Sequence, residues 1–222
     1  IALERCCRGI QKRIMIDIFK FDVERTKVAA RSMAGTDISE HLITLFDFTV
    51  FSVCEYANLF KDKFSVLELG VRDGESTKTF LSALGLLDSK LLSIDKEDCT
   101  AVARDAIADG KWWQIVGDSR DAKLAARVED GSKMIVFVDT SHIENDTEIE
   151  IANWKNKLHE HGAFIFHDTN CSKDNARGVI APIERFVSFK INEKNDSLYV
   201  GNGFTVRHFP NNNGLTIVQK GI

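Results

Sequence analysis

VLELGVRDGES, residues 66–76, joins an apolar run to two glycines, Gly70 and Gly74, and then to residues that open helices. An apolar run without polar alternation is how a strand buried on both faces reads. Glycines at its end let the chain turn sharply and leave the main chain open to a neighbour. Strand, glycine turn and helix start together form the first unit of a parallel α/β sheet, in which ligands bind beyond the carboxyl ends of the strands.

The same grammar continues outward. Short apolar runs at 64–69 (FSVLEL), 90–95 (KLLSID), 112–117 (WWQIVG), 133–139 (KMIVFVD) and 163–168 (AFIFHD) read as strands. Helix-compatible segments at 75–86, 98–109, 120–128, 144–159 and 178–189 lie between and after them. This alternation predicts a doubly wound, mostly parallel sheet with right-handed crossovers. Downstream, residues 197–221 hold two β-rich runs joined by HFPNNNG, which predicts an antiparallel hairpin closing the sheet. Residues 1–60 read as two or three helices, with a break at SMAGTD where Asp37 and Glu40 suggest a capping box after Gly35. The expected division is therefore an N-terminal helical cap over 1–60, serving substrate or a dimer partner, and a ligand-binding domain over 61–222.

Composition narrows the classes. The chain has 222 residues, 44% of them apolar, enough for a large core, and a net charge of −4 with scattered basic residues, which argues against a nucleic-acid partner. The most apolar segment, 41–60, carries Asp47 and Glu55 and makes a poor membrane span. A helix packed on the sheet or on another subunit of a homodimer is the better reading. Five cysteines without metal-ligand spacing read as reduced packing residues. Without a visible leader, the expected location is the cytoplasm.

Chemistry is sought at the strand ends. Gly70 and Gly74 can let a ligand lie against the backbone, and Glu68 offers a carboxylate to a charged amine. Asp95 ends the next strand about 20 residues after Gly74, the offset at which an acid meets ribose hydroxyls in nucleotide-binding units. The middle glycine of a dinucleotide fingerprint is missing, which favours a nucleoside without a pyrophosphate. Trp112, Trp113 and Trp154 read as packing, and the acids of the helix near 143–162 as a solvated face.

VLELGVRDGES, LLSID, GDSRD and IVFVDTSH followed by HGAFIFHDTN resemble the successive motifs of class I S-adenosylmethionine-dependent methyltransferases. The likeness is to the small-molecule O-methyltransferase branch that includes macrocin, rhamnosyl and cephalosporin-hydroxylase-like members, and it runs over roughly 64–189. It implies a Rossmann-like, seven-stranded sheet and S-adenosylmethionine as cofactor. It places Glu68, Gly70 and Gly74 around the methionyl part, Asp95 at the ribose, and Asp118 with Ser119 at the adenine, and it counts Ser76 and Asp139 among the cofactor-binding residues. His142 becomes the candidate general base, with Asp139 beside it. The acceptor it implies is a hydroxyl on a small molecule or sugar.

Asp139, Asp168 and Asn170 form an oxygen-rich set of the kind that suits Mg2+, and metal-dependent relatives use such an ion to hold substrate hydroxyls. The chain departs from some relatives in having His167-Asp168 where they have an acidic pair, so a metal-free site stands as the alternative. Two other readings of the fold are a nicotinamide-dependent oxidoreductase and a nucleoside-binding protein without turnover. The missing glycine and the terminal hairpin disfavour the first; the set Asp95, Asp139, His142 and Asp168 disfavours the second.

Overall fold

Eight strands form one sheet in the order β3-β2-β1-β4-β5-β8-β7-β6. The structure is a computed structural model that describes residues 41–170 and 178–221. The expected capping box at 37–40 and the helices before it lie outside the described residues, as does most of the loop after Asn170.

The first strands are β1 (Phe64–Leu69), β2 (Lys90–Asp95), β3 (Trp112–Val116), β4 (Lys133–Val138) and β5 (Leu158–His167), all paired in parallel. Residues of β4 are buried along its whole length, as an apolar strand covered on both faces must be. On one face, α1 (Leu42–Glu55) and α3 (Glu75–Gly85) pack together and bury Leu45, Phe48 and Phe80 against Phe137 and Trp112. On the other face, α6 (Glu144–Trp154) and α7 (Ile180–Val187) bury Trp154 and Ile183 against Leu67, Phe164 and Phe166. The remaining helices are short: α2 (Ala57–Phe60), α4 (Arg104–Ala108) and α5 (Ala122–Ala125). Asp121 caps the last of these by accepting from the Lys123 backbone N–H.

Three sequence expectations need correcting. The helix expected over 144–159 stops at Trp154, and β5 begins at Leu158, ahead of Ala163. Leu158 pairs with Lys133, and the register then shifts before Ala163 meets Ile135. The sheet has eight strands and not seven, because the run 197–209 is itself a hairpin of β6 (Ser197–Gly201) and β7 (Phe204–Phe209). Asn202 and Gly203 both take positive φ (53° and 77°), the requirement of a two-residue primed turn. The antiparallel strand β8 (Leu215–Lys220) then inserts between β5 and β7. Finally, Cys54 is disulfide-bonded, so the cysteines are not uniformly reduced, while Cys99 is a free thiol.

Trp112 is buried and Trp113 exposed, as strand alternation requires. No helix among the described residues is long and apolar enough to cross a membrane.

Candidate active site

The chain runs from β1 outward to β2 and β3, then returns to the other side of β1 for β4 and β5. That reversal places a crevice beyond the carboxyl ends of β1 and β4. A cavity of about 450 Å3 lies there, walled by Gly70, Asp95, Glu97, Cys99, Ser119, Arg120, Asp139, Thr140, Asp146 and Glu150 among others.

Gly70 shapes its floor. It sits at φ 91°, and a Cβ there would stand 1.9 Å from the Asp139 carbonyl oxygen, so only glycine lets the ends of β1 and β4 meet. Gly74, at φ 75°, opens α3, and a Cβ on it would strike Val102 at 1.9 Å. It supports the turn from behind and does not wall the cavity.

Asp95 walls the cavity and is held in place by main-chain donors. Its Oδ2 accepts from the N–H of Val71 at 2.7 Å and of Arg72 at 3.3 Å, and its Oδ1 from Glu97 at 2.9 Å. Glu68 is fully buried. It accepts from Ser76 at 2.6 Å, Thr77 at 2.8 Å and Ser93 at 2.6 Å. Burial pushes its pKa up to about 7 against those three donors. Glu68 and Ser76 therefore bond to each other beneath the glycine turn, away from the cavity wall.

Asp118 is engaged by Arg120, through Nε at 2.9 Å and a second guanidinium nitrogen at 2.5 Å. That fork holds its carboxyl well below the usual range. Arg120 also donates to Asp146 at 2.7 Å, and Ser141 donates to the other oxygen of Asp146 at 2.7 Å. Ser119 donates to Glu150 in a short bond, and Thr140 donates to the same carboxylate at 3.0 Å. Burial raises the pKa of Glu150. Asp146 and Glu150 are thus buried on the cavity side of α6, which corrects the reading of its acids as solvent-facing for these two, while Glu144 and Glu148 are exposed as expected. The spacing of Asp146 and Glu150 by one helical turn is the signal that could have found them. Arg120 was missed because nothing in GDSRD says which acid its guanidinium will join.

Beyond Asp139 lies a second cluster. His142 Nε2 is 2.7 Å from Asp168 Oδ2 and 3.4 Å from Asp139 Oδ1. His167 Nδ1 is 3.4 Å from an oxygen of each acid. The hydrogen bond to Asp139, then that to Asp168, pushes His142 up to about 10 against burial. Burial opposes the charge on His167 too, yet the same two acids push it up to about 10. Burial likewise opposes ionisation of Asp139 and Asp168, but the two imidazoles hold both below the usual range.

The resemblance implies Mg2+ here, and the donor set can be tested against it. The ligand atoms of Asp139, His142 and Asp168 lie within 4.8 Å of one another, a span a cation could bridge. Mg2+ however demands near-octahedral oxygen donors, and here the two carboxylates are interleaved with the imidazole of His142 from this set and with that of His167 beside it. Asn170 turns its amide nitrogen to the Pro210 carbonyl at 2.9 Å and its backbone N–H to Asn213. The residues do not fit Mg2+.

A family model described as a methyltransferase domain matches residues 67–169, from within β1 to just past Asp168. No curated protein matches the chain. Among solved structures, a Corynebacterium glutamicum protein is similar with a TM-score of 0.59 at 17% identity, covering 100% of this chain and 98% of its own. CalS11, a TDP-rhamnose 3'-O-methyltransferase of calicheamicin biosynthesis, gives 0.56 at 12% identity over 96% of this chain and 99% of its own. MycE methyltransferase, solved with Mg, S-adenosylhomocysteine and mycinamycin VI, gives 0.53 at 17% identity over 90% of this chain and 53% of its own. At these identities the likeness establishes the fold.

Proposed function

We propose that the chain is an S-adenosylmethionine-dependent methyltransferase that methylates a hydroxyl oxygen on a small molecule or sugar, with Asp139 and His142 at the reacting end; the match of residues 67–169 to a methyltransferase domain supports the reading. One observation carries the reading. Among the described residues, Asp139 both walls the cavity and belongs to the carboxylate and imidazole cluster beyond it. The cofactor cavity and the proton-accepting groups therefore meet at one side chain.

The cavity fits a nucleoside-bearing cofactor in size, since ligand sites run from about 300 to 1,000 Å3. Gly70 leaves its backbone open beside Asp139, Asp95 offers an acid to the ribose, and Ser119 stands on the wall assigned to the adenine. Glu68, Gly74 and Ser76 hold the turn that positions them, and Asp118 holds Arg120. S-adenosylmethionine, when bound, supplies a methyl group on a positively charged sulfur. What the chain must add is alignment of the acceptor and a place for its proton. With its pKa pushed up to about 10 by the two acids, His142 holds its proton at neutral pH, so Asp139 is the group that can receive the hydroxyl proton as the oxygen attacks, with His142 holding that carboxylate in place. The acceptor class is in keeping with CalS11, which acts on TDP-rhamnose.

Calorimetric titration with S-adenosylhomocysteine, with NAD+ as control, tests the reading. Micromolar binding that Asp95→Ala weakens by about tenfold or more is expected, the loss of one well-placed charged hydrogen-bond partner. No binding, or preference for NAD+, would leave the fold and remove the activity. His142→Ala should keep S-adenosylhomocysteine affinity while transfer to an identified acceptor collapses.

A further inference from the structure

Two acids, Asp139 and Asp168, converge at the acceptor end, and each lies within 3.4 Å of the same two imidazoles. In MycE, of the same fold, the structure was solved with Mg. We propose that in this chain His142 and His167 take that place: the two imidazoles cap the acids, and the site takes up no Mg2+. The inference rests on the methyltransferase reading for what the site does, but not for the contacts that carry it.

Those contacts are reciprocal. Each imidazole reaches both acids, His142 at 2.7 and 3.4 Å and His167 at 3.4 Å to each. Asp139 Oδ1 faces both rings, so a cation approaching that oxygen would compete with two nitrogens that already share it. His142 would have to give up its close contact with Asp168.

His167 has nowhere to withdraw. It is 1% exposed, and the ring of His41 stands edge-on behind it at 5.5 Å. His41 is itself buried and within 3.0 Å of the Asn211 carbonyl. Among the described residues, neither nitrogen of His167 nor Asp168 Oδ1 meets another hydrogen-bond partner, so there the acids are what His167 has to interact with.

The backbone fixes the arrangement. His142 and Asp168 both take left-handed φ, 57° and 55°, which for such residues is a strained conformation held by its surroundings. Gly178 packs on the His142 carbonyl so closely that a Cβ would lie 2.1 Å from it. A loop held this way does not reshape readily into an octahedral oxygen cage, and a hard ion that dehydrates reluctantly gains little from imidazole.

The test uses the whole chain saturated with S-adenosylhomocysteine and titrated with Mn2+, a paramagnetic stand-in for Mg2+, while the resonance of the free ion is followed. The wild type should leave Mn2+ free up to about 1 mM, and His167→Glu, which supplies a third carboxylate, should take it up at least about tenfold more tightly. That gain should disappear when Asp139→Asn is added. Wild-type uptake below about 100 μM that depends on Asp139 would overturn the proposal. So would a His167→Glu variant that still binds S-adenosylhomocysteine yet gains nothing. Should His167→Glu fail to fold, the wild-type titration alone decides. Absence of S-adenosylhomocysteine binding would count against the methyltransferase reading, while the Mn2+ result would still decide this one.

Discussion

Gly70 and Gly110 both sit at positive φ, 91° and 66°, but only at Gly70 would a Cβ meet another atom, 1.9 Å from the Asp139 carbonyl. Comparing the two separates backbone strain from contact. Gly110→Ala should cost about 1 kcal/mol of stability, the strain of a left-handed alanine, and Gly70→Ala at least about 2 kcal/mol more, because β1 and β4 must also part. Urea denaturation of the two variants measures the difference. Equal costs would show that the approach of the two strand ends is not what demands glycine. At this scale the sequence was informative where chemistry is local. A strand-end Asp95 and a glycine turn announce themselves, whereas the partners of Arg120 and Glu150 are set by which loops fold against α6. Glu68 shows the same limit: its carboxylate was read as facing a ligand, and the structure turns it to Ser76, Thr77 and Ser93.

Through those three hydroxyls Glu68 ties β1 to β2 and to the first turn of α3, and Trp112 of β3 extends the network by donating to Ser93 at 2.9 Å. An acid buried this way makes the joint sensitive to pH. Its folded pKa is raised from 4.5 to about 7, so ionising it costs more in the folded than in the unfolded chain. The stability it allows is complete below about pH 4.5, is lost as pH rises towards 7, and is level above that, a change of about 3 kcal/mol. Glu68→Gln keeps a polar group at the joint and removes the ionisation, so the variant should lose that slope. Denaturation curves at several pH values check it, and parallel wild-type and variant profiles between pH 4.5 and 7 would sink the idea. The parallel elements were legible because burial on both faces writes a continuous apolar run, as in β1 and β4. Two boundaries were not. Leu158 begins a strand inside a helical-looking stretch because pairing with Lys133 overrides local propensity, and the Asn202-Gly203 turn hid within a run that reads as one strand.

Insertion of β8 between β5 and β7 makes all eight strands one continuous sheet, and the two apolar clusters lie on its opposite faces. The order of the antiparallel strands could not be read from the chain, since a hairpin signature fixes which strands are neighbours in sequence but not which edge they join. The consequence for the whole molecule is mechanical. Central strands contribute alternate side chains to both clusters, Phe137 to one and Val136 with Val138 to the other, so neither face can lose its packing while the sheet persists. Trp112 is buried in the first cluster and Trp154 in the second, where its indole donates to the Ser119 carbonyl at 2.8 Å. Two variants make each a reporter: Trp113→Phe with Trp154→Phe leaves Trp112, and Trp112→Phe with Trp113→Phe leaves Trp154. In each, the fluorescence midpoint in urea should coincide with that variant's own far-ultraviolet circular dichroism midpoint, as a single cooperative transition requires. A fluorescence midpoint that precedes the loss of secondary structure in one variant alone would show that its face melts separately, and the sheet would then be a shared wall between two folding units.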